Sequence, residues 1–260
     1  MTKDRFRTIT AAEDSDLVAR AAKRIGGEWP EFMLHDPVAV HFDDCYDKLP
    51  DYQFVIVAAD DSEPLAIGNS IPLVWTDGLE NLPDTGWDWA MTEGIELNRS
   101  RRPANKLCAL QIVVFGENRG RGLSRIAVEA MKKIGRERGL EGLMAPVRPS
   151  RKCEYPLTPI DRYIRWTDSD NRPFDPWLRV HYNLGARIIK PCPNAMTIAG
   201  TIAEWEKWTE LRFPESGEYI VPGALVPVKI DIASDTGTYI EPNVWMYHTL
   251  GQGCPDFRGV

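Results

Sequence analysis

The stretch Leu107-Cys-Ala-Leu-Gln-Ile-Val-Val-Phe115, followed by the turn Arg119-Gly-Arg-Gly-Leu-Ser124, decides the reading of this chain. An unbroken apolar run of that length, bounded by turn signals, predicts a buried strand. Past the turn, Leu123, Ile126, Ala127, Ala130, Met131 and Ile134 recur at the helical period, and Gly139 stops the helix. Strand, basic glycine turn and helix in that order bring free backbone N–H groups and the positive end of a helix dipole to one point. A phosphate suits that point. Gly120 and Gly122 lack a Cβ, so the chain can turn sharply there and lie against a ligand. Arg119 and Arg121 add charge-assisted donors, each contributing about 1.5–3 kcal/mol when well placed. Between residues 119 and 152, ten Lys and Arg stand against three Asp and Glu, in a chain of net charge −7. A basic island in an acidic chain fits a small bound polyanion.

The turn is not a P-loop, because no Gly-Lys-Ser/Thr follows the glycines. It is not a dinucleotide fingerprint either, since Arg125 stands where the third glycine is needed. It resembles the pyrophosphate-binding motif of the GNAT superfamily of N-acetyltransferases, Arg/Gln-x-x-Gly-x-Gly/Ala. Here that motif reads Arg119-Gly-Arg-Gly122-Leu-Ser124, with the small Ser124 in the last place. Ile112 and Val114 occupy the two apolar positions that the family carries on the strand before the Arg. Val180-His-Tyr-Asn-Leu-Gly-Ala186 fits the family's later Tyr-x-x-x-Gly-Phe-like pattern, with Arg187-Ile-Ile-Lys190 as the next strand. The resemblance spans about residues 50–200 and implies an α/β (α+β) fold with a mixed sheet, here with an N-terminal helical elaboration and extra C-terminal β-hairpins.

The same resemblance implies chemistry. Acetyl-CoA, or another acyl-CoA, is the expected cosubstrate. Ile112, Val113 and Val114 would pair with its pantetheine arm and polarise the thioester carbonyl through a backbone N–H. Arg119, Gly120, Arg121, Gly122, Leu123 and Ser124 would hold its pyrophosphate. In the family the acid for the departing thiolate is often a Tyr four places before the late glycine. His181 stands there, with Tyr182 beside it, and either is the candidate catalytic residue. A His of ordinary pKa can protonate a thiolate or relay a proton. The general base is open: the central strand carries only Gln111, and the candidates elsewhere are Glu93, Glu96, Asp175 or a water chain.

The expected acceptor is a small-molecule primary amine, received by loops near 31–44, 75–89 and 148–176 and by the C-terminal hairpins. Asp36, Asp43, Asp77, Asp84 and Asp88 in those loops suit a cationic amine. Two further readings use the same fold: a longer acyl-CoA or acyl-carrier donor, and a non-catalytic acyl-CoA-binding module.

Composition narrows the partners. An acidic balance, with pI near 5.3, argues against nucleic acid. The apolar runs fall well short of the ~20 residues of a membrane span. The opening residues Met-Thr-Lys-Asp-Arg-Phe-Arg carry no apolar signal core. Cysteines at 45, 108, 153, 192 and 254 are scattered, without a Cys-x-x-Cys pair, so no structural zinc site, no disulfide framework and a reducing cytoplasm are expected. His35, Asp36, His41, Asp43 and Asp44 have the chemistry of metal ligands, but on a helix they would not share one face, and no metal is expected. Cys192 lacks a neighbouring base that would make it a nucleophile. A homodimer is one allowed assembly.

Along the chain, helices are expected over 10–25 and 37–48, strands over 52–59 and 64–75, and some helix within 77–95. The β-α-β unit spans 107–147, the irregular insertion 148–176, and strands follow at 218–221, 224–232 and 238–247. Residues 1–200 are read as the core with its elaborations, and 201–260 as a C-terminal β extension packed on it.

Overall fold

The structure, a computed structural model, describes residues 5–251; Cys254 and the end of the expected C-terminal extension lie outside the described residues. The chain starts as a polar edge strand, β1 (Phe6–Thr10), and enters α1 (Ser15–Ala22), whose cap is Asp14, accepting from the Leu17 N–H at 2.9 Å. The helix expected over 10–25 is therefore shorter. Thr10 is still extended, and Glu13 closes the turn by accepting from the Thr10 N–H and hydroxyl. Three 3-10 turns, Ile25–Glu28, Glu31–His35 and Pro37–His41, lead to α2 (Phe42–Lys48). Then come the hairpin β2 (Gln53–Ala58) and β3 (Pro64–Leu73), and α3 (Gly86–Ser100).

The β-α-β unit is present as β4 (Lys106–Val114), α4 (Leu123–Glu137) and β5 (Gly142–Val147). The insertion holds only a 3-10 turn and α5 (Ile160–Tyr163) before α6 (Pro176–Asn183). It is tied down at Asp175, which accepts from the Ser150 and Arg151 N–H groups and from the Tyr163 hydroxyl. The remaining elements are β6 (Arg187–Gly200), α7 (Ile202–Thr209), β7 (Gly217–Tyr219), β8 (Val228–Asp231) and β9 (Thr236–Thr249).

Nine strands form one mixed sheet in the order β1-β2-β3-β4-β5-β9-β8-β7, with β6 on the other edge of β9. Only β4 and β5 run parallel. The last strand is thus inserted in the sheet: β9 pairs β5 through Val147↔Val244 and β6 through Arg187↔Tyr247. On one face α4 buries Leu123, Ala127, Met131 and Ile134 against Leu107 and Leu143. On the other, α3 buries Ala90, Met91 and Ile95 against Ile71 and Cys108. Burying each large apolar side chain contributes about 1.5–3 kcal/mol. The α3 contact is close enough to require Gly94, where a Cβ would stand 2.4 Å from Ile71 Cγ1. These two helices fix β4, and β4 positions the site.

Candidate active site

β4 and β5 pair from Lys106↔Gly142 to Cys108↔Met144 and then part. β3 follows β4 to Val114 and β9 follows β5 to Val147, so each strand is held from outside while the facing edges diverge. Divergence coincides with a bulge: Asn69 pairs Gln111 and Ser70 pairs Ala109, leaving Leu110 inserted. The Leu110 carbonyl accepts the Trp87 indole N–H at 2.8 Å, so the bulge is pinned from α3. The opened edge of β4 offers backbone groups to an extended ligand, in the manner of a missing strand.

The glycine turn lies at the far end of β4. Gly120 and Gly122 have φ of 80° and 78°, the left-handed region, and no atom lies within 4 Å of a Cβ built on either. Gly122 begins α4, and no described side chain caps its first turn. The cradle is open, and its donors are those a phosphate takes. Beside it a carboxylate occupies the neighbouring donors: Glu28 accepts from the Gly116 N–H at 3.0 Å and from the Arg119 guanidinium at 2.5 Å. Arg121 instead donates to Asn118 Oδ1 at 2.6 Å. The Leu123 side chain is in the core, leaving only its backbone for a ligand. The unpaired β4 edge and the open turn together fit the pantetheine arm and pyrophosphate of CoA.

One cavity of about 1150 Å³ joins these parts. Ile112, Val113, Val114, Arg119 and Ser124 line its donor end, and His181 and Trp177 line its side next to Ala145 and Pro146 of β5. His181 is buried; its Nδ1 lies 3.0 Å from Nε2 of His248 on β9, and Trp177 packs edge-on against the ring. The near-neutral pKa expected for His181 is not met. Burial, and secondarily the charge of His248, push it down to about 3, so its imidazole is uncharged at pH 7. Tyr182 is 46% exposed and does not line the cavity. α6 therefore brings one of the two candidates to the cleft and leaves the other at the surface.

The expected base candidates lie elsewhere. Glu93 pairs with Arg102, and Glu96 is exposed. Asp175 caps α6 through the Trp177 and Leu178 N–H groups, in addition to its ties to the insertion. Cys192 is buried and its thiol is pushed up to about 12, mainly by burial, which removes it as a nucleophile. His35 stacks on Trp208 while His41 faces Asp44.

Three groups not singled out as site residues do line the cavity. Gln111 has a buried Nε2 with no acceptor. Glu241 and Asn243 come from β9. Glu241 accepts from Arg148 Nε at 2.8 Å and from the Tyr239 hydroxyl at 2.9 Å. A signal existed for Gln111, a polar residue in an apolar strand. None existed for Glu241 or His248, which reach the site only because β9 enters the sheet beside β5.

A mixed sheet whose parallel pair opens beside an open glycine turn is the arrangement that a CoA-dependent acyltransferase requires. No family model matches the chain. Over 249 residues it is 33% identical to the arginine N-acetyltransferase avaD of Aspergillus versicolor, covering 85% of each chain. Among solved structures it is similar to the loading GNATL domain of CurA from Lyngbya majuscula, at TM-score 0.60 and 17% identity over 94% of this chain and 98% of that one. It is also similar to the GNAT-like decarboxylase GphF in complex with isobutyryl-CoA, at TM-score 0.52 and 15% identity over 95% and 100%. The chain belongs to the GNAT superfamily of N-acetyltransferases. It is an enzyme that transfers an acyl group from CoA to an amine. Among the described residues no group of side chains could hold a metal ion, and no helix is long and apolar enough to cross a membrane.

Proposed function

We propose that the protein acetylates the α-amino group of arginine or a close relative of arginine, using acetyl-CoA. The observation that carries this reading is the single cavity running from Arg119 and Ser124, past Gln111 and His181, to the buried carboxylate of Glu241. The arginine acceptor of the Aspergillus relative supports the same choice.

Bound acetyl-CoA supplies a thioester activated for attack by an amine. Arg119 holds the pyrophosphate by charge-assisted hydrogen bonds, and the first turn of α4 adds its N–H groups. To do so Arg119 exchanges the Glu28 carboxylate for the phosphate. The β4 edge from Ile112 to Val114 aligns the pantetheine arm. Gln111 supplies an unspent amide donor in the cavity. An α-amine attacks in its neutral form, and the uncharged His181 imidazole can accept a hydrogen bond from it and orient it while His248 fixes the ring and tautomer. Tyr182, at the surface, takes no part. The four described cysteines, Cys45, Cys108, Cys153 and Cys192, are unpaired, in keeping with a reducing cytoplasm.

Release of free thiol from acetyl-CoA, followed across a panel of amines, tests the reading. Arginine should be turned over with the highest kcat/KM of the panel; a panel in which arginine releases no thiol overturns it.

A further inference from the structure

Arg148 follows the last residue of β5 and lines the cavity together with Trp29, Ser150, Glu241 and Asn243. Its guanidinium is pinned at two nitrogens: Nε donates to Glu241 Oε2 at 2.8 Å, and Nη2 donates to the Gly223 carbonyl at 2.7 Å. The Trp29 ring lies under it, with Cζ 5.6 Å from the ring centroid. Nη1 has no partner among the described residues. Glu241, by contrast, is fully engaged. Its Oε2 also accepts from the Tyr239 hydroxyl at 2.9 Å, and its Oε1 accepts from the Asn243 amide at 3.2 Å in the orientation that satisfies that amide. The Arg148 side chain is 18% exposed and that of Glu241 0%, so the open member of the pair is the cation.

A guanidinium does not give up its proton in a protein, and a buried cation is costly unless it is paired and hydrogen-bonded. Glu241 meets the charge, yet the two N–H groups of Nη1 are left for a ligand. A planar fork already held at its other two nitrogens loses little freedom when it binds an oxyanion. Trp29 packs against the core under α3, so Arg148 opens on the face of the sheet opposite α4. Ala145 and Pro146, just before it on β5, form the wall beside His181. The acids expected to receive a cationic amine are mostly elsewhere. Of Asp36, Asp43, Asp77, Asp84 and Asp88 only Asp43 lines the cavity, and Asp36 and Asp88 meet outside it, within hydrogen-bonding reach of each other and sharing a proton.

We propose that Arg148 binds the α-carboxylate of the acceptor through Nη1, and so restricts the acceptor to free α-amino acids. This rests on the acceptor reading above and deepens it. In an α-amino acid one carbon bears both the carboxylate and the amine. A carboxylate held on Nη1 therefore keeps the amine close to the β5 wall, where His181 can orient it. Glu241, spent on Arg148, Tyr239 and Asn243, holds the guanidinium in place and is not itself a contact of the acceptor.

The test compares arginine with argininamide, which keeps the α-amine and the guanidinium and lacks only the negative charge. Wild type should prefer arginine in kcat/KM by about tenfold to a hundredfold, the scale of a hydrogen bond between charged groups. The bias of the amines runs the other way, since an amine without a neighbouring carboxylate is less basic and more often neutral. Arg148→Gln combined with Glu241→Gln removes both charges, so that neither is left buried alone. That double variant should lose the preference through a raised arginine KM, while argininamide KM moves by no more than about twofold. Equal use of the two acceptors by wild type, an unchanged arginine KM in the folded double variant, or a loss seen in CoA affinity instead, would overturn the proposal. A second measurement needs neither turnover nor variants. Calorimetric titration of the CoA-saturated protein should show N-acetylarginine binding at least about tenfold tighter than N-acetylargininamide; equal binding, or no binding of either, overturns the subsite. If arginine and argininamide release thiol equally, the acetyltransferase reading stands and the subsite falls. If neither releases thiol, the acceptor reading falls, and the titration still decides the subsite.

Discussion

His181 Nδ1 lies 3.0 Å from His248 Nε2, joining the helix that enters the cleft to the strand inserted behind it. Two neutral imidazoles in contact can pass hydrogen-bond donor character between them, and the contact fixes which His181 nitrogen faces its partner.

Replacing His181 by Ala should lower kcat by about tenfold to a hundredfold, the scale of a lost hydrogen bond that orients the amine. CoA affinity should change by less than about threefold, because His181 touches none of the turn's donors. Stopped assays of thiol release together with CoA titration check this. Unchanged turnover would remove His181 from the chemistry. His248→Asn should give a smaller fall in kcat, since it acts only by positioning the ring.

The same pair makes stability depend on pH in a defined direction. Burial chiefly, then Lys132, pushes His248 down to about 4, and His181 stands at about 3. Both folded values lie below the ordinary histidine value of about 6.5. The unfolded chain therefore binds more protons below pH 6.5. The stability from the neutral pair is complete above that pH and is lost as pH falls towards the folded values. Going from pH 7.5 to 5 should cost about 2 kcal/mol per histidine. Urea melts at the two pH values should show this loss in wild type and a smaller one in His248→Asn; equal losses in the two proteins would contradict it.

The Glu28 carboxylate sits on Arg119 and the Gly116 N–H, where a phosphate would compete with it. Arg119→Ala should weaken CoA binding by about tenfold to a hundredfold, the scale of one charged hydrogen bond. Glu28→Gln should tighten binding by a few-fold and keep its loss with salt steep, whereas Arg119→Ala, with one cation fewer on the phosphate, should make that loss shallower. Titrations at two ionic strengths read both effects. An Arg119→Ala protein with wild-type affinity would remove the pyrophosphate from this turn.

The strand, turn and helix around Arg119 were legible because each rests on short-range signals: an apolar run, two glycines and a 3.6-residue stripe. The edge strand β1 was hidden, since Arg7 and Thr8 face solvent and its two apolar residues, Phe6 and Ile9, do not alternate at the strand period. α7 did carry a readable signal, the Thr201–Glu204 capping box, which is formed in the fold. The insertion of β9 between β5 and β6 follows from long-range pairing and left no local trace. His248 and Glu241 were illegible for that reason. Asp36 and Asp88 were visible as acids but not as neighbours, because a sequence does not show which loops meet.

The most direct measurement incubates the protein with acetyl-CoA and arginine and locates the acetyl group on the product by tandem mass spectrometry. The product should be a monoacetylated arginine carrying the acetyl on its α-nitrogen, with the guanidino group intact. An acetyl group on a guanidino nitrogen, or arginine recovered unmodified, would contradict it.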